Sequence, residues 1–374
     1  MVVGAGPIGS ALAISLAREG RQVVLLDRSS FPRDKPCGEG LMPLGAQVLA
    51  DLGIDLGREG FPRLLGVEYR LGGAGAAFAA FRGRPGHGVR RERFDELLLG
   101  RAIATPGVRV ETGCEVTALS ERPEGVRVET AQGSIEAELV VGADGLRSTV
   151  RGLMGWDRPA TGRRFGLVGH LAAPSAAPDR VAVTLLNGLE VYSAPSGPDE
   201  TLVAVLGPRG SLRGPGESVA AAYRRVAEEA HPELAGASAT RVWGAGPFRV
   251  NPLRVASRRV FLAGDAAGFI DPLTGDAMAA GLAGVRHLTA ALRSGPKPAA
   301  ASYRRFIAAQ HRRRLVVTSL ALFLTGSPAW ARRAVTGTAR RPSALQALVE
   351  VNGGTRGLGG VGLADWAALA GFAG

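Results

Sequence analysis

Apolar positions change their period several times along the chain. Val2-Val3 runs into Gly4-Ala5-Gly6-Pro7-Ile8-Gly9, after which Leu12, Ala13 and Leu16 recur at helical spacing across Ser10–Glu19. Gly20 stops that helix, and Val23–Leu26 is a continuous apolar run suited to a strand buried in a parallel sheet. Pro32, Pro36, Gly38, Gly40 and Pro43 mark a long ordered loop, and Phe94–Ala104 predicts a helix. From about 108 to 142 short alternating strands are broken by Gly113, Gly125 and Gly133, ending in the buried run Leu139–Val141. Val2-Val3 is short for a buried central strand, which leaves open a start upstream of Met1.

Between about 162 and 207 the pattern is strands alone: Phe165–Leu171, Val181–Leu186, Leu189–Ala194 and Thr201–Leu206. Pro, Gly and Ser turns separate them, which predicts an antiparallel sheet. A helix follows at about 217–230. Val260–Ala263 returns to the buried parallel type and leads into a helix at about 276–293, and the tail reads as helical. The fold class is therefore α/β, α+β overall: a Rossmann-like nucleotide-binding domain with an inserted antiparallel β-sheet. The expected division is 1–62, 84–160 and 245–296 for the discontinuous nucleotide-binding domain. Residues 63–83 and 161–244 form the β-sheet domain, and 297–374 a basic helical C-terminal region.

Composition adds little to that picture: 46% hydrophobic and 21% charged residues over 374 positions describe an ordinary globular chain, not a disordered one. Charge adds more. Segment 286–374 holds twelve arginines and Lys297 against Glu350 and Asp365, so +11 of the net +12 lies there. Lys35 and Lys297 are the only lysines. Such a bias fits a GC-rich coding habit, or a basic surface that meets anionic lipid, an acidic partner or an anionic substrate. Nucleic acid is not expected, because aromatics are 5% and do not interleave with the arginines. Cys37 and Cys114 cannot build a disulfide framework or a zinc site, so no metal and a reducing, cytoplasmic setting are expected. Leu315–Leu324 is the best membrane candidate, but ten residues cannot span a bilayer.

Three motifs carry chemistry. In Gly4-x-Gly6-x-x-Gly9 the first glycine permits a tight turn, the second lets backbone approach a pyrophosphate, and the third lets helix and strand pack closely. The following helix offers N–H groups and a positive dipole end to phosphate. Asp27 ends the second strand 18 residues after Gly9, where an acid can accept from ribose hydroxyls. Val140-Val141-Gly142-Ala143-Asp144-Gly145 closes a buried strand on an acid and a glycine turn. Val260-Phe261-Leu262-Ala263-Gly264-Asp265 repeats the device, followed by Asp271-Pro272-Leu273-Thr274-Gly275.

With these motifs in this order the chain resembles the FAD-dependent monooxygenases of the para-hydroxybenzoate hydroxylase type. Their relatives, the geranylgeranyl reductases and flavin-dependent halogenases, share the motifs. The resemblance implies that the discontinuous domain binds FAD and that the inserted sheet roofs a substrate chamber. It implies a cofactor set in which Pro7, Ile8 and Arg28 join Gly4, Gly6, Gly9 and Asp27. Asp265, after Gly264, should bond the ribityl chain, and Asp144 should sit where cofactor and reductant meet. Arg91 matches the family's arginine beside the ribityl and pyrophosphate groups, and Val116 a backbone contact to adenine. Pro272 and Gly275 should open the loop that faces the isoalloxazine. Asp276-Ala277 departs from the pattern, because many relatives carry a second glycine there.

Four further residues have two readings each. Cys37, in Pro36-Cys37-Gly38-Glu39-Gly40, occupies the place of a Pro-Cys-Gly-Gly stretch in the reductase-like relatives. It either lines the reaction chamber or fills a loop, and Glu39 either orients substrate and moves a proton or belongs to loop structure. His170 and Tyr192 either face the chamber or belong to a satisfied sheet.

The family reaction expected is hydroxylation of an apolar aromatic or polyketide-like small molecule by O2 through a flavin C4a-hydroperoxide. NAD(P)H would be the transient reductant, in keeping with the lack of a second Gly-x-Gly-x-x-Gly fingerprint after a strand. The alternative is a flavin-dependent reductase of prenyl double bonds, favoured by the Pro-Cys-Gly loop. The reductases' aromatic Tyr-x-Trp-x-Phe-Pro strand, however, shrinks here to Tyr192-Ser193-Ala194-Pro195. A halogenase ranks third, since the Trp-x-Trp-x-Ile-Pro stretch is absent. A monomer or homodimer is expected, with peripheral membrane contact possible through the arginines of Tyr303–Leu324.

Overall fold

The computed structural model describes residues 1–71, 75–159 and 161–372. Five parallel strands form one sheet in the order Val260–Leu262, Val140–Gly142, Val2–Val3, Val23–Asp27 and Val108–Thr112. Their apolar runs are buried because helices cover the sheet, with Leu12, Ile14, Leu25, Phe94, Phe261 and Leu282 in one core. The first helix, Pro7–Arg18, starts three residues earlier than apolar spacing predicts. Proline at the first helical position loses no intrahelical bond and arrives with its φ preset. Gly4 turns the chain at φ +102, and a Cβ on Gly9 would lie 1.7 Å from the Gly4 carbonyl oxygen. Helix and strand can approach this closely only through glycine.

Helix Ala277–Leu292 lies across Pro7–Arg18, where a Cβ on Gly281 would come within 2.6 Å of Ile8 Cδ1. A helix at Pro43–Asp51, which the sequence pattern does not announce, lies on it in turn. Its contact is set by Gly45, whose Cβ would be 3.1 Å from Ala279 Cα.

The second large sheet has seven strands, ordered Trp243–Ala245, Arg164–Leu171, Glu200–Pro208, Leu189–Gly197, Val181–Leu186, Gly66–Leu71 and Ala76–Ala80. The last two come from the segment 63–83. The expected antiparallel pairing is interrupted once, because Val181–Leu186 and Gly66–Leu71 run parallel. Side chains alternate between faces. Leu167, Leu171, Val191, Val203 and Val205 pack under helix Val219–Ala230. Val168, Leu202 and Ala204, with Tyr192 and Trp243, look the other way.

The C-terminal region is four helices, Pro296–Thr325, Pro328–Arg340, Pro342–Gly353 and Leu363–Leu369. The middle pair covers the far strands of the large sheet, with Ala331, Val335 and Leu345 on Ala77, Ala79, Val183 and Leu185. The stretch Leu315–Leu324 lies within Pro296–Thr325 and buries Val317, Thr318, Ala321 and Leu324 against the protein. Among the described residues no helix is long and apolar enough to cross a membrane.

Replacing Gly9 with alanine forces a Cβ into the Gly4 carbonyl. Overpacking of this kind costs about 1–3 kcal/mol or more. Gly9→Ala is expected to lower the thermal midpoint, whereas Gly210→Ala, with open space around it, should leave the midpoint within error.

Candidate functional site

The carboxyl ends of the parallel strands converge on one cleft, the usual place for a ligand in an open α/β sheet. Gly4, Gly6, Pro7 and Ile8 line one wall. Gly9 stays behind it, where its role is helix packing. A Cβ on Gly6 would reach only side chains, with Arg33 Nη2 at 3.5 Å and Asp95 Oδ2 at 3.9 Å, so the turn presents bare backbone to the cleft. Asp27 is fixed at the next strand end: its carboxylate accepts from the Ala5 and Ser29 N–H groups, each at 2.8 Å. Arg28, Ser29, Cys114 and Val116 continue that wall.

At the opposite end stand Asp144 and Asp265. Asp144 Oδ2 accepts from the Val150 N–H at 3.1 Å, while its Oδ1 is buried with no hydrogen-bond partner among the described residues. Burial pushes the Asp265 carboxyl up from its ordinary range, against the pull of Lys35, Arg314 and Arg91. Gly264 precedes it at φ +59, pressed against Ile8.

Five basic residues line the same cleft, Arg28, Arg33, Lys35, Arg91 and Arg147. Arg91 holds Asp95 with two bonds of 2.7 and 2.8 Å. Arg33 reaches Asp27 at 3.3 Å and Asp95 at 3.7 Å, and its Nε is buried without a partner among the described residues. Lys35 also lines the cleft, and burial, reinforced by Arg91, pulls its ammonium below the ordinary lysine range. Arg33 and Lys35 are cleft-lining residues that motif reading misses. The signal is the alternation of charge in Arg33-Asp34-Lys35 just after an acid-terminated strand.

The remaining candidates lie beside the cleft. Glu39 and His170, 131 residues apart, meet at 2.8 Å through Oε2 and Nε2, and Ser196 Oγ donates to the same oxygen at 3.1 Å. Glu39 Oε1 accepts from the Arg91 N–H at 2.8 Å, which joins this cluster to the cleft's wall. Arg90 contacts His170 and runs out to Asp34 and Glu200. Cys37 lies between, and burial pushes its thiol up, so it is a neutral thiol and not a thiolate. Tyr192 donates its hydroxyl to the Leu273 carbonyl in the loop that carries Pro272 and Gly275. Asp276 caps the helix that follows, and Ala277 and Met278 return to the cleft.

Comparison with known proteins agrees with this arrangement. Residues 1–321 match the family described as FAD binding domain. The 3-amino-4-hydroxybenzoate 2-monooxygenase of Streptomyces cremeus is 32% identical over 287 residues, covering 71% of each protein. A menaquinone reductase of Mycolicibacterium smegmatis is 33% identical over 195 residues, covering 47% of this chain. The chain spans 44% of that reductase's length. The fold matches that of a flavin-dependent brominase with a TM-score of 0.81, at 18% identity over 99% of this chain and 96% of the other.

FAD fits the residues present. The bare turn at Gly6, the positive end of helix Pro7–Arg18 and the cations Arg33, Lys35 and Arg91 suit a diphosphate. Asp27 suits a ribose, and the orphaned Asp144 Oδ1 and the buried Asp265 await donors such as hydroxyl groups. Bringing a diphosphate beside Lys35 raises its depressed pKa, so binding takes up a proton. Between the depressed value and the ordinary lysine value, FAD affinity should therefore fall as pH rises. Fluorescence titration across alkaline pH tests this: Lys35→Met should weaken binding and flatten the dependence, and an unchanged slope in that variant would contradict it.

A cleft with this donor set, continuous with a family match over residues 1–321, makes the chain a member of the FAD binding domain family.

Proposed function

We propose that this chain is an FAD-dependent monooxygenase. It would use NAD(P)H and O2 to hydroxylate an apolar aromatic or polyketide-like molecule. The balance is RH + O2 + NAD(P)H + H⁺ giving ROH + NAD(P)⁺ + H2O. The observation that carries the reading is the inner face of the seven-stranded sheet. There Val168, Leu202, Ala204, Tyr192 and Trp243 form an apolar roof, and Tyr192 is bonded to the Leu273 loop. The similarity to an aminohydroxybenzoate monooxygenase over 71% of both chains supports it.

Bound FAD would supply the electrons that activate O2. The chain's own part is to hold the cofactor, exclude water and move protons. In this reading residues 1–62, 84–160 and 245–296 hold FAD, residues 63–83 and 161–244 roof the substrate, and 297–374 close the site from outside. Glu39 Oε2, between His170 Nε2 and the Ser196 hydroxyl, is the acceptor for a substrate proton. Arg90 carries the connection toward solvent through Asp34 and Glu200. Cys37 is a neutral wall. Tyr192 orients the loop, and burial keeps its phenol protonated as the donor. A cytoplasmic monomer or homodimer belongs to the same reading. The exposed Val316 and Phe323 beside Arg312 offer a surface for peripheral membrane contact.

The second reading is a reductase of prenyl or quinone-linked double bonds, favoured by the menaquinone reductase similarity and the Pro36-Cys37-Gly38 loop. Isotope labelling separates the two. Reduced holoprotein mixed with ¹⁸O2 and a panel of hydroxybenzoates and naphthols should give a product carrying one ¹⁸O. Unlabelled aromatics together with saturation of an added prenyl chain would favour the reductase. Glu39→Gln should lower hydroxylation about 10²-fold or more with FAD binding retained.

A further inference from the structure

The loop from Asp271 to Asp276 is held at four points by segments distant in sequence. Arg164 Nε donates to Asp271 Oδ2 at 2.9 Å, and the Tyr192 hydroxyl donates to the Leu273 carbonyl. Asn352 Nδ2 donates to the Thr274 carbonyl at 2.9 Å, and Arg314 Nε stands 2.8 Å from Asp276 Oδ2. Two of these holders come from the large sheet and two from the C-terminal helices.

The last contact differs in kind. Both side chains are buried, Arg314 at 7% and Asp276 at 3% exposure, yet the N–H is not aimed at the oxygen, and both atoms lack a hydrogen bond among the described residues. The attraction is therefore one of charge. The other Asp276 oxygen accepts from Thr274 Oγ1 at 2.9 Å, which fixes the carboxylate at the start of helix Ala277–Leu292. Ala277 and Met278 line the cleft directly after it. Arg313 lies against Gly354 and stays within charge range of Asp276, but makes no ion pair with it among the described residues. Arg314 borders a recess shared with Gly264 and Asp265.

A carboxylate at this place would oppose charge arriving on a neighbouring flavin, because the interior screens poorly. We propose that Arg314 is a positioning residue that neutralises Asp276 beside the flavin end of the cleft and thereby sets the reduction potential of bound FAD. The basic C-terminal region thus completes the cofactor site from outside it. The inference rests on FAD binding and holds whichever reaction the flavin serves.

The test is the midpoint potential of bound FAD, read by anaerobic dye equilibration in holoprotein. Arg314→Met removes the cation nearest Asp276, leaving only the more distant Arg313, and should move the potential negative. A tenfold fall in the affinity ratio of reduced to oxidised FAD corresponds to about 30 mV. Asp276→Asn should move it positive, and the double variant should return close to the starting value. If Arg314→Met does not retain FAD, Asp276→Asn decides alone: a positive shift supports the assignment and no shift overturns it. Equal weakening of oxidised and reduced FAD in every variant, with the potential unmoved, would show a purely structural clamp and also overturn it.

Discussion

Buried charge of both signs, gathered in one cleft, is the constraint from which this structure is organised. Arg33, Lys35 and Arg91 share one cleft with Asp27, Asp144 and Asp265; Asp27 and Asp95 answer Arg33 and Arg91, and Asp265 lies within charge range of Lys35. Desolvated cations are costly unless paired, so the cleft is a poor resting place for its own side chains and a good one for a diphosphate. The strain is visible in Lys35 and Asp265, each biased by burial toward its neutral form. An anionic cofactor with hydroxyl donors would relieve both groups at once. The glycine turn makes this possible by letting helix Pro7–Arg18 stand so close that its N-terminus faces the ligand.

The rest of the fold holds the loop 271–276, which leads into the cleft-lining Ala277 and Met278. The seven-stranded sheet buries one face under helix Val219–Ala230 and turns the other toward the loop, with Arg164 and Tyr192 as its two fasteners. The C-terminal helices cover the sheet's far strands and reach the same loop through Arg314 and Asn352. Much of the basic tail is therefore engaged internally: Arg293 pairs with Glu19, Arg341 with Asp365 and Arg356 with Glu350. These exposed pairs contribute little stability individually, and Arg314, which is buried, carries more weight.

How much of this was legible in the sequence depended on whether the signal was local. The parallel strands, the glycine turn and the three acid-terminated strands are local patterns, and the positions of Gly4, Gly6, Asp27, Asp144 and Asp265 could be read directly from them. Helix Pro43–Asp51 was not legible, because it follows a proline-rich loop and owes its place to a glycine contact with Ala279. The parallel pairing of Gly66–Leu71 with Val181–Leu186 joins strands more than 100 residues apart, and no local pattern encodes it. Glu39 and His170 were each recognisable as ionisable residues in suggestive places, but their meeting is a tertiary fact. Arg314 was hidden for the opposite reason: among twelve arginines in a basic tail, nothing local singles out the one that turns inward.

The central claim is that one cleft, lined by Gly264, Asp265, Ala277 and Met278 on either side of the loop 271–276, takes FAD. Hydrogen exchange of the apoprotein and of the protein saturated with FAD tests it most directly. The account predicts that FAD slows exchange in residues 4–10, 27–37, 142–150 and 264–278, and leaves helix Val219–Ala230 unchanged. Protection confined to other segments, or a protein that takes up no FAD, would contradict it.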